Sequence, residues 1–365
     1  MSHSILLTGV SGYLGGSLLA QLGKTDAHAL PAHKYKKLYA LVRTDSQASA
    51  VQAYGAEPLR FDVKDASAVR AALLEHDISV VFFLIDALAA TTQAHFIDAL
   101  GEVKAKLGGT GAVTDVHFLH TSGAKIFSSH AGAPTEGPLF DDDPALYDVQ
   151  KAQRPVVPLL QSAIDANTTA VDRAEARGVR CYIFVPCIVY GRGRGFGNCI
   201  SIQTVAIVKA ARAARRVYSV DDPPSAAVWP VCHVDDNTSL YLALLDAILA
   251  GKSPASGKQG YYLASSGSIL WGDLYGAMAR RLAERGVVDH PDVLPAAGNV
   301  DVLTTMGKAL GCPPALVALM LGGRCTFTAR HAGAELAWTP RFKPEHILDT
   351  AAEEVDLILD NLADS

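Results

Sequence analysis

The chain has 365 residues, 49% of them apolar and 19% charged, and 32 Lys and Arg against 37 Asp and Glu leave a net charge of −5. Such a composition excludes intrinsic disorder and supplies apolar material for one large domain or two smaller ones. No Lys/Arg block offers a face to nucleic acid or to an anionic membrane, and no apolar run approaches the roughly 20 residues of a transmembrane helix.

In chain order, short β-branched runs alternate with helical stretches, the signature of a parallel α/β sheet. The pattern predicts a strand at Ile5–Leu7, a glycine turn and a helix over Gly15–Leu22. Strands at Lys37–Val42 and Pro58–Phe61 follow, with helices over Gln47–Tyr54 and Ala66–Glu75. Val80–Ile85 is a near-continuous apolar run, as a strand covered on both faces requires, and Val116–His120 is another. A helix from about Leu159 to Arg177, opened by Pro158 and stopped by Gly178, leads to a strand at Arg180–Val185.

After Tyr190 the composition shifts through the glycine-rich Gly191–Gly197 loop to a mostly helical remainder. We expect residues 1–190 to form the first domain, with segments near 232–265 returning to it. Residues 191–231 and 266–365 then form a smaller second domain. The start Met1-Ser2-His3-Ser4 lacks the charged region and cleavage site of a signal peptide, so a cytoplasmic location is expected. The six cysteines include no C-x-x-C pair, so neither a zinc site nor a disulfide framework is indicated.

Thr8-Gly9-Val10-Ser11-Gly12-Tyr13-Leu14-Gly15 reads T-G-x-x-G-x-x-G between a strand and a helix. Gly9 allows the tight turn, Gly12 lets backbone approach a pyrophosphate, and Gly15 permits close helix–strand contact. The helix N-terminus then presents unpaired N–H groups to the phosphates. This points to a dinucleotide cofactor and a Rossmann-type doubly wound sheet. The second strand ends in Leu41-Val42-Arg43-Thr44. An arginine there suits a 2′-phosphate, whereas a carboxylate would read a free ribose hydroxyl, so NADP(H) is expected over NAD(H). Asp62, in Phe61-Asp62-Val63, is placed either to accept from the adenine amino group or to cap a turn.

With these residues placed, the chain resembles an extended short-chain dehydrogenase/reductase of the NAD-dependent epimerase/dehydratase type. The resemblance runs through the glycine turn, His120-Thr121-Ser122-Gly123, Pro186-Cys187-Ile188-Val189-Tyr190-Gly191, Cys232-His233-Val234-Asp235-Asp236 and Leu336-Ala337-Trp338-Thr339-Pro340. Closest in character are the atypical members of filamentous fungi, with their T-S-G and P-x-x-x-Y-G segments. The resemblance implies cofactor contacts at Gly9, Gly12, Tyr13, Leu14, Gly15, Arg43, Asp62, Val63, Thr121 and Pro186. It implies a small-molecule substrate, and it leaves a homodimer open.

The family's tyrosine moves a proton at the substrate oxygen, aided by a lysine four residues later and by a serine after the fifth strand. A phenol with pKa near 10 needs such a nearby cation to work near neutrality. Tyr147-Asp148-Val149-Gln150-Lys151 supplies the motif, 25 residues after Ser122. Against it stand Pro155 and Pro158, which break the long helix that normally carries the pair. Counting back from Val189-Tyr190-Gly191 puts the usual pair at Leu159 and Ala163. Tyr147, Lys151 and Ser122 are the catalytic candidates on this reading. His117 and His120, three apart on a strand, face opposite ways and do not share a metal. His233, Asp235 and Asp236 are read as pinning a loop, Arg192 and Arg194 as bordering the substrate cleft or as solvated loop residues, and the tryptophans as packing. An oxidoreductase acting on a carbonyl or secondary alcohol leads. A non-redox isomerase, dehydratase or cyclase, and a non-catalytic dinucleotide sensor, are its rivals.

Overall fold

The computed structural model describes residues 3–23, 34–109, 115–155, 157–221 and 227–363. Met1 and Ser2, on which the signal-peptide expectation partly rests, lie outside the described residues.

The strands in chain order are β1 (Ser4–Leu7), β2 (Lys37–Leu41), β3 (Glu57–Leu59), β4 (Ile78–Phe83), β5 (His117–Thr121), β6 (Leu139–Phe140) and β7 (Arg180–Pro186). They continue as β8 (Ile188–Tyr190), β9 (Tyr218–Ser219), β10 (Val228–His233), β11 (Tyr261–Ala264), β12 (Gly267–Leu270), β13 (Leu294–Pro295) and β14 (Phe327–Thr328). Seven of them form one parallel sheet in the order β11-β7-β5-β4-β1-β2-β3. The strand order therefore reverses between β1 and β4, and ligands of doubly wound sheets bind in the crevice at that reversal.

β4 is fully buried along its length, so both its faces need cover. The helices α1 (Tyr13–Leu22), α2 (Asp45–Ala53), α3 (Ala66–Glu75), α4 (Ala90–Gly108), α5 (Leu146–Ala152), α6 (Pro158–Arg177), α7 (Gln203–Ala214), α8 (Val234–Leu249), α9 (Trp271–Glu284) and α10 (Val300–Leu310) follow in order. Phe82 meets Tyr241 of α8 on one face, and its neighbour Phe83 meets Phe96 of α4 on the other. That is the alternation a strand imposes. Pro58, which cannot donate to a ladder, sits in β3 at the sheet's outer edge.

The expected elements appear with shifted ends. The first helix begins at Tyr13 rather than Gly15. β4 spans Ile78–Phe83, where Val80–Ile85 was expected, because the Thr8 hydroxyl takes over beyond it. Thr8 Oγ1 donates to the Phe82 carbonyl and accepts from Leu84 N at 2.9 Å, in place of a ladder bond. The helix expected near Leu159–Arg177 spans Pro158–Arg177, closed by Gly178 in the left-handed conformation at φ +64°.

A second sheet, β12-β10-β8, stands beyond the end of β7; α7 and α9 pack beside it, and α10 packs on α7. The remaining strands form two short pairs, β6 with β14 and β9 with β13. All six cysteines are unpaired thiols. Among the described residues no single helix is long and apolar enough to cross a membrane.

Candidate active site

A cleft follows the C-terminal ends of the central strands as two recesses that meet at Gly9, Gly12 and Leu84. The first, of about 590 Å³, is lined by the glycine turn, Arg43, Gln47, Asp62 and Val63. The second, of about 570 Å³, runs past Tyr13, Leu14, Gly15, Thr121, Ser122, Lys125 and Pro186 to Trp229.

The glycine turn is built for close approach. Gly9 has φ +70°, and a Cβ on Gly15 would stand 2.3 Å from the Gly9 carbonyl oxygen. No side chain other than hydrogen fits there, so α1 starts hard against the end of β1. The N-cap of α1 is Gly12, which offers no side-chain acceptor, and the first turn holds no carboxylate. The open N–H groups of that turn therefore face the cleft with the positive end of the helix dipole. This cradle fits a pyrophosphate, and the Arg43–Asp62–Val63 recess fits the adenosine half of a dinucleotide.

At the far end of that recess Arg43 is exposed, and its backbone N–H donates to the Gln47 side chain at 2.8 Å. The acidic residue nearest to it in sequence, Asp45, is held by Arg60 at 2.5 Å. Asp62 accepts from the backbone of Lys64 at 2.9 Å while still lining the recess, so it serves its turn and faces the cleft together.

In the second recess Ser122 lines the wall just beyond β5, its backbone held by the Phe184 carbonyl at 2.8 Å. The Thr121 hydroxyl is tied to Tyr241 at 2.6 Å, which fixes the end of β5 against α8. Tyr13 donates its hydroxyl to the Gly191 carbonyl at 2.6 Å.

Tyr147 and Lys151 do not reach this cleft. Their helix, α5, ends at Ala152 and α6 starts at Pro158, with Pro155 between them. The Tyr147 hydroxyl donates to Asp172 of α6, and the Lys151 ammonium sits 2.8 Å from that hydroxyl and 3.1 Å from the same carboxylate. Asp172 lies 14 residues after Pro158, about 21 Å along the helix axis, toward the end that feeds the start of β7. The cleft lies at the opposite end of β7, beside Pro186. Burial, and then the bond to Asp172, raise the Tyr147 pKa, the reverse of what proton transfer near neutrality requires. The triad spacing thus reports a structural tyrosine. Leu159 and Ala163, where the usual pair would fall, are one half-exposed and one buried apolar residue on α6.

Two further expectations are corrected, for Arg194 and Trp229, while Arg192 follows its solvated-loop alternative. Arg194 does not border the substrate recess: it forms a two-pronged ion pair with Asp235 at 2.6 and 2.7 Å. Arg192 is exposed and lines neither recess. The loop that carries both lies on α1 instead. A Cβ on Gly195 would meet the Gly16 Cα at 2.5 Å, and Asn198 N donates to the Ser11 carbonyl at 2.9 Å. Trp229 packs on Trp271 and also forms cleft wall. His233 caps α8 through Asp235 N and stacks on Phe342. Asp236 accepts from the Phe342 backbone at 2.9 Å, so this segment does pin loops together. His117 meets Tyr182 and His3, whereas His120 meets Phe83 and Phe118 on the other face of β5.

Sequence reasoning missed Lys125. It lies in the 3-10 turn Ala124–Phe127 directly after β5, and it is the one charged residue among those that line the second recess. Burial pushes its ammonium pKa down to about 8. Its available signal was positional, since the segment after the fifth strand opens onto the cleft of this fold.

Comparison with known proteins identifies the family. The profile of the NAD dependent epimerase/dehydratase family matches residues 5–256. The chain belongs to that family. A curated relative, Oxidase ucsJ of Acremonium sp, is 22% identical over 385 residues, covering 98% of this chain and 100% of the relative. The UDP-glucose 4-epimerase of Thermotoga maritima, solved with UDP-glucose, superposes with TM-score 0.60 at 15% identity, covering 98% of this chain and 99% of that one. The dTDP-glucose 4,6-dehydratase of Bacillus anthracis, solved with NAD, gives 0.62 at 13% identity, covering 99% and 97%. At such identities the structures speak for the fold alone. As a member of the epimerase/dehydratase family, the protein is an NAD(P)-dependent enzyme: an oxidoreductase, epimerase or dehydratase in the broad sense.

Proposed function

We propose that this family member is an NADP(H)-dependent oxidoreductase that acts on a carbonyl or secondary alcohol of a small organic molecule. The observation that carries the NADP(H) preference is the Arg43 corner. Arg43 lines the recess, and the neighbouring Asp45 carboxylate is paired with Arg60. A planar cation at that point matches a 2′-phosphate with paired hydrogen bonds. The name of the Acremonium relative, an oxidase, supports net redox chemistry over a cofactor-retaining isomerisation. The unpaired thiols support a reducing cytoplasmic setting.

When bound, the dinucleotide supplies hydride transfer at its nicotinamide ring. The chain's own residues do the rest. The turn from Gly9 to Gly15 and the first N–H groups of α1 hold the pyrophosphate. Leu14, Leu84 and Trp229 give the second recess part of its apolar wall. Ser122 stands on its wall to donate to a substrate oxygen, while Thr121 and Tyr241 hold the strand end that aims it. The test is NADPH consumption with a panel of apolar aldehydes and ketones, beside NADPH and NADH binding by fluorescence. Turnover with tighter NADPH than NADH binding is the expected result. Tight binding without any consumption would leave the non-redox reading.

A further inference from the structure

Lys125, which lines the second recess, carries an ammonium group without a counter-ion among the described residues. Lys125 is partly buried, and its Nζ contacts the Met320 sulfur at 3.8 Å. Among the described residues it forms no ion pair. The titratable groups that bear on it are Cys312 and His130. Burial pushes the Cys312 thiol up and the His130 imidazole down, so neither supplies a counter-charge at pH 7. The surrounding wall is mostly apolar: Leu14, Leu84 and Trp229 line it beside the uncharged polar Ser122, Asn198 and Gln203, and Leu88 and Ile202 stand 44% and 65% exposed where it opens.

Withdrawing a cation from water without a partner costs free energy that a methionine of similar length would not incur. A single charged side chain in a mostly apolar recess matches a ligand with the converse layout. We propose that the cleft takes an apolar organic acid, one carboxylate or comparable oxyanion on an aryl or alkyl body, with Lys125 as its counter-ion. This rests on reading the recess as the substrate half of the cofactor cleft. A diphosphate carries two or more negative charges and would face this one cation alone.

An anion beside Lys125 stabilises its charged form, so binding becomes linked to protonation of the amine. The anion preference is therefore full below pH 8 and fades as the pH rises through it. The probes are 2-naphthoate and its uncharged partner 2-naphthamide, titrated calorimetrically into the NADPH-saturated full chain at pH 7 and pH 9.5. Wild type should bind naphthoate at least about tenfold tighter than the amide at pH 7, the factor expected of one charge-assisted contact. The preference should shrink at pH 9.5, vanish in Lys125→Met and persist in Lys125→Arg. Equal binding of the two probes in wild type, no binding of either, or an unchanged preference in a folded Lys125→Met would overturn the proposal. NADPH affinity, measured first in the same protein, separates this from failure of the cofactor reading. Tight NADPH with no probe discrimination sinks the acid proposal alone.

Discussion

Tyr147 on α5 hands its hydroxyl to the Asp172 carboxylate on α6, and Lys151 bridges the two. A tyrosine and lysine at catalytic spacing are thereby turned into a clasp between neighbouring helices. Tyr147→Phe should keep NADPH-dependent turnover within twofold of wild type. It should lower stability by about 1 kcal/mol, the usual worth of one such hydrogen bond. Urea unfolding and initial rates on the same preparation check both halves, and a loss of about 100-fold in turnover would restore the tyrosine to the chemistry.

Arg43→Asp replaces the cation at the recess corner with a repelling carboxylate. NADPH affinity should fall by about 10- to 100-fold, with NADH affinity changed far less. Parallel fluorescence titrations decide it, since an equal loss for both cofactors would mean that Arg43 does not read the 2′-phosphate.

Gly195→Val puts a branched side chain where even a Cβ would lie 2.5 Å from Gly16 Cα. The loop must lift from α1, at a strain of roughly 1–3 kcal/mol. Release of NADPH in stopped flow should quicken by about tenfold or more, although residue 195 lines neither recess. An unchanged off-rate would show that the loop does not hold the nucleotide side closed.

His120 is fully buried, and burial lowers its pKa to about 4. Between pH 6.5 and 4 the unfolded chain takes up a proton at this ring that the folded chain refuses, so folding stability declines as the pH falls. The decline is up to about 3 kcal/mol by pH 4. His120→Phe, in a pocket already shared with Phe83 and Phe118, should flatten this part of the acid profile in urea melts at pH 7 and pH 4.5. The same slope in the variant would assign the acid sensitivity elsewhere.

What could be read from residues alone were features whose cause is local. The Gly9–Gly15 spacing, the all-apolar β4 and the Pro158–Gly178 bracket around α6 each carry their geometry within a few residues. Tyr147 shows the limit. Its spacing to Lys151 and Ser122 is right, yet its position is set by the break at Pro155 and by Asp172, a residue far along another helix. Lys125 is one more lysine in a short turn by sequence, because its significance lies in its having no ion pair among the described residues, which only the packed structure reveals. The Gly191–Gly197 segment announced a loop through composition but not its destination on α1.

That destination has a consequence for folding order. Gly191 N is held by Glu354 of the last described helix, Ala351–Ala363, its carbonyl by Tyr13, and Ser11 by Asn198. The nucleotide turn is thus local in sequence and remote in its support, reinforced by contacts that span nearly 180 residues. Such long closures form late and slowly. A nascent chain ending near residue 190 can hold the seven residues of β7 in register and still lack the surface that steadies the glycine turn. Cofactor capture therefore belongs to the finished chain, and a truncated N-terminal half that keeps its sheet should bind NADPH weakly.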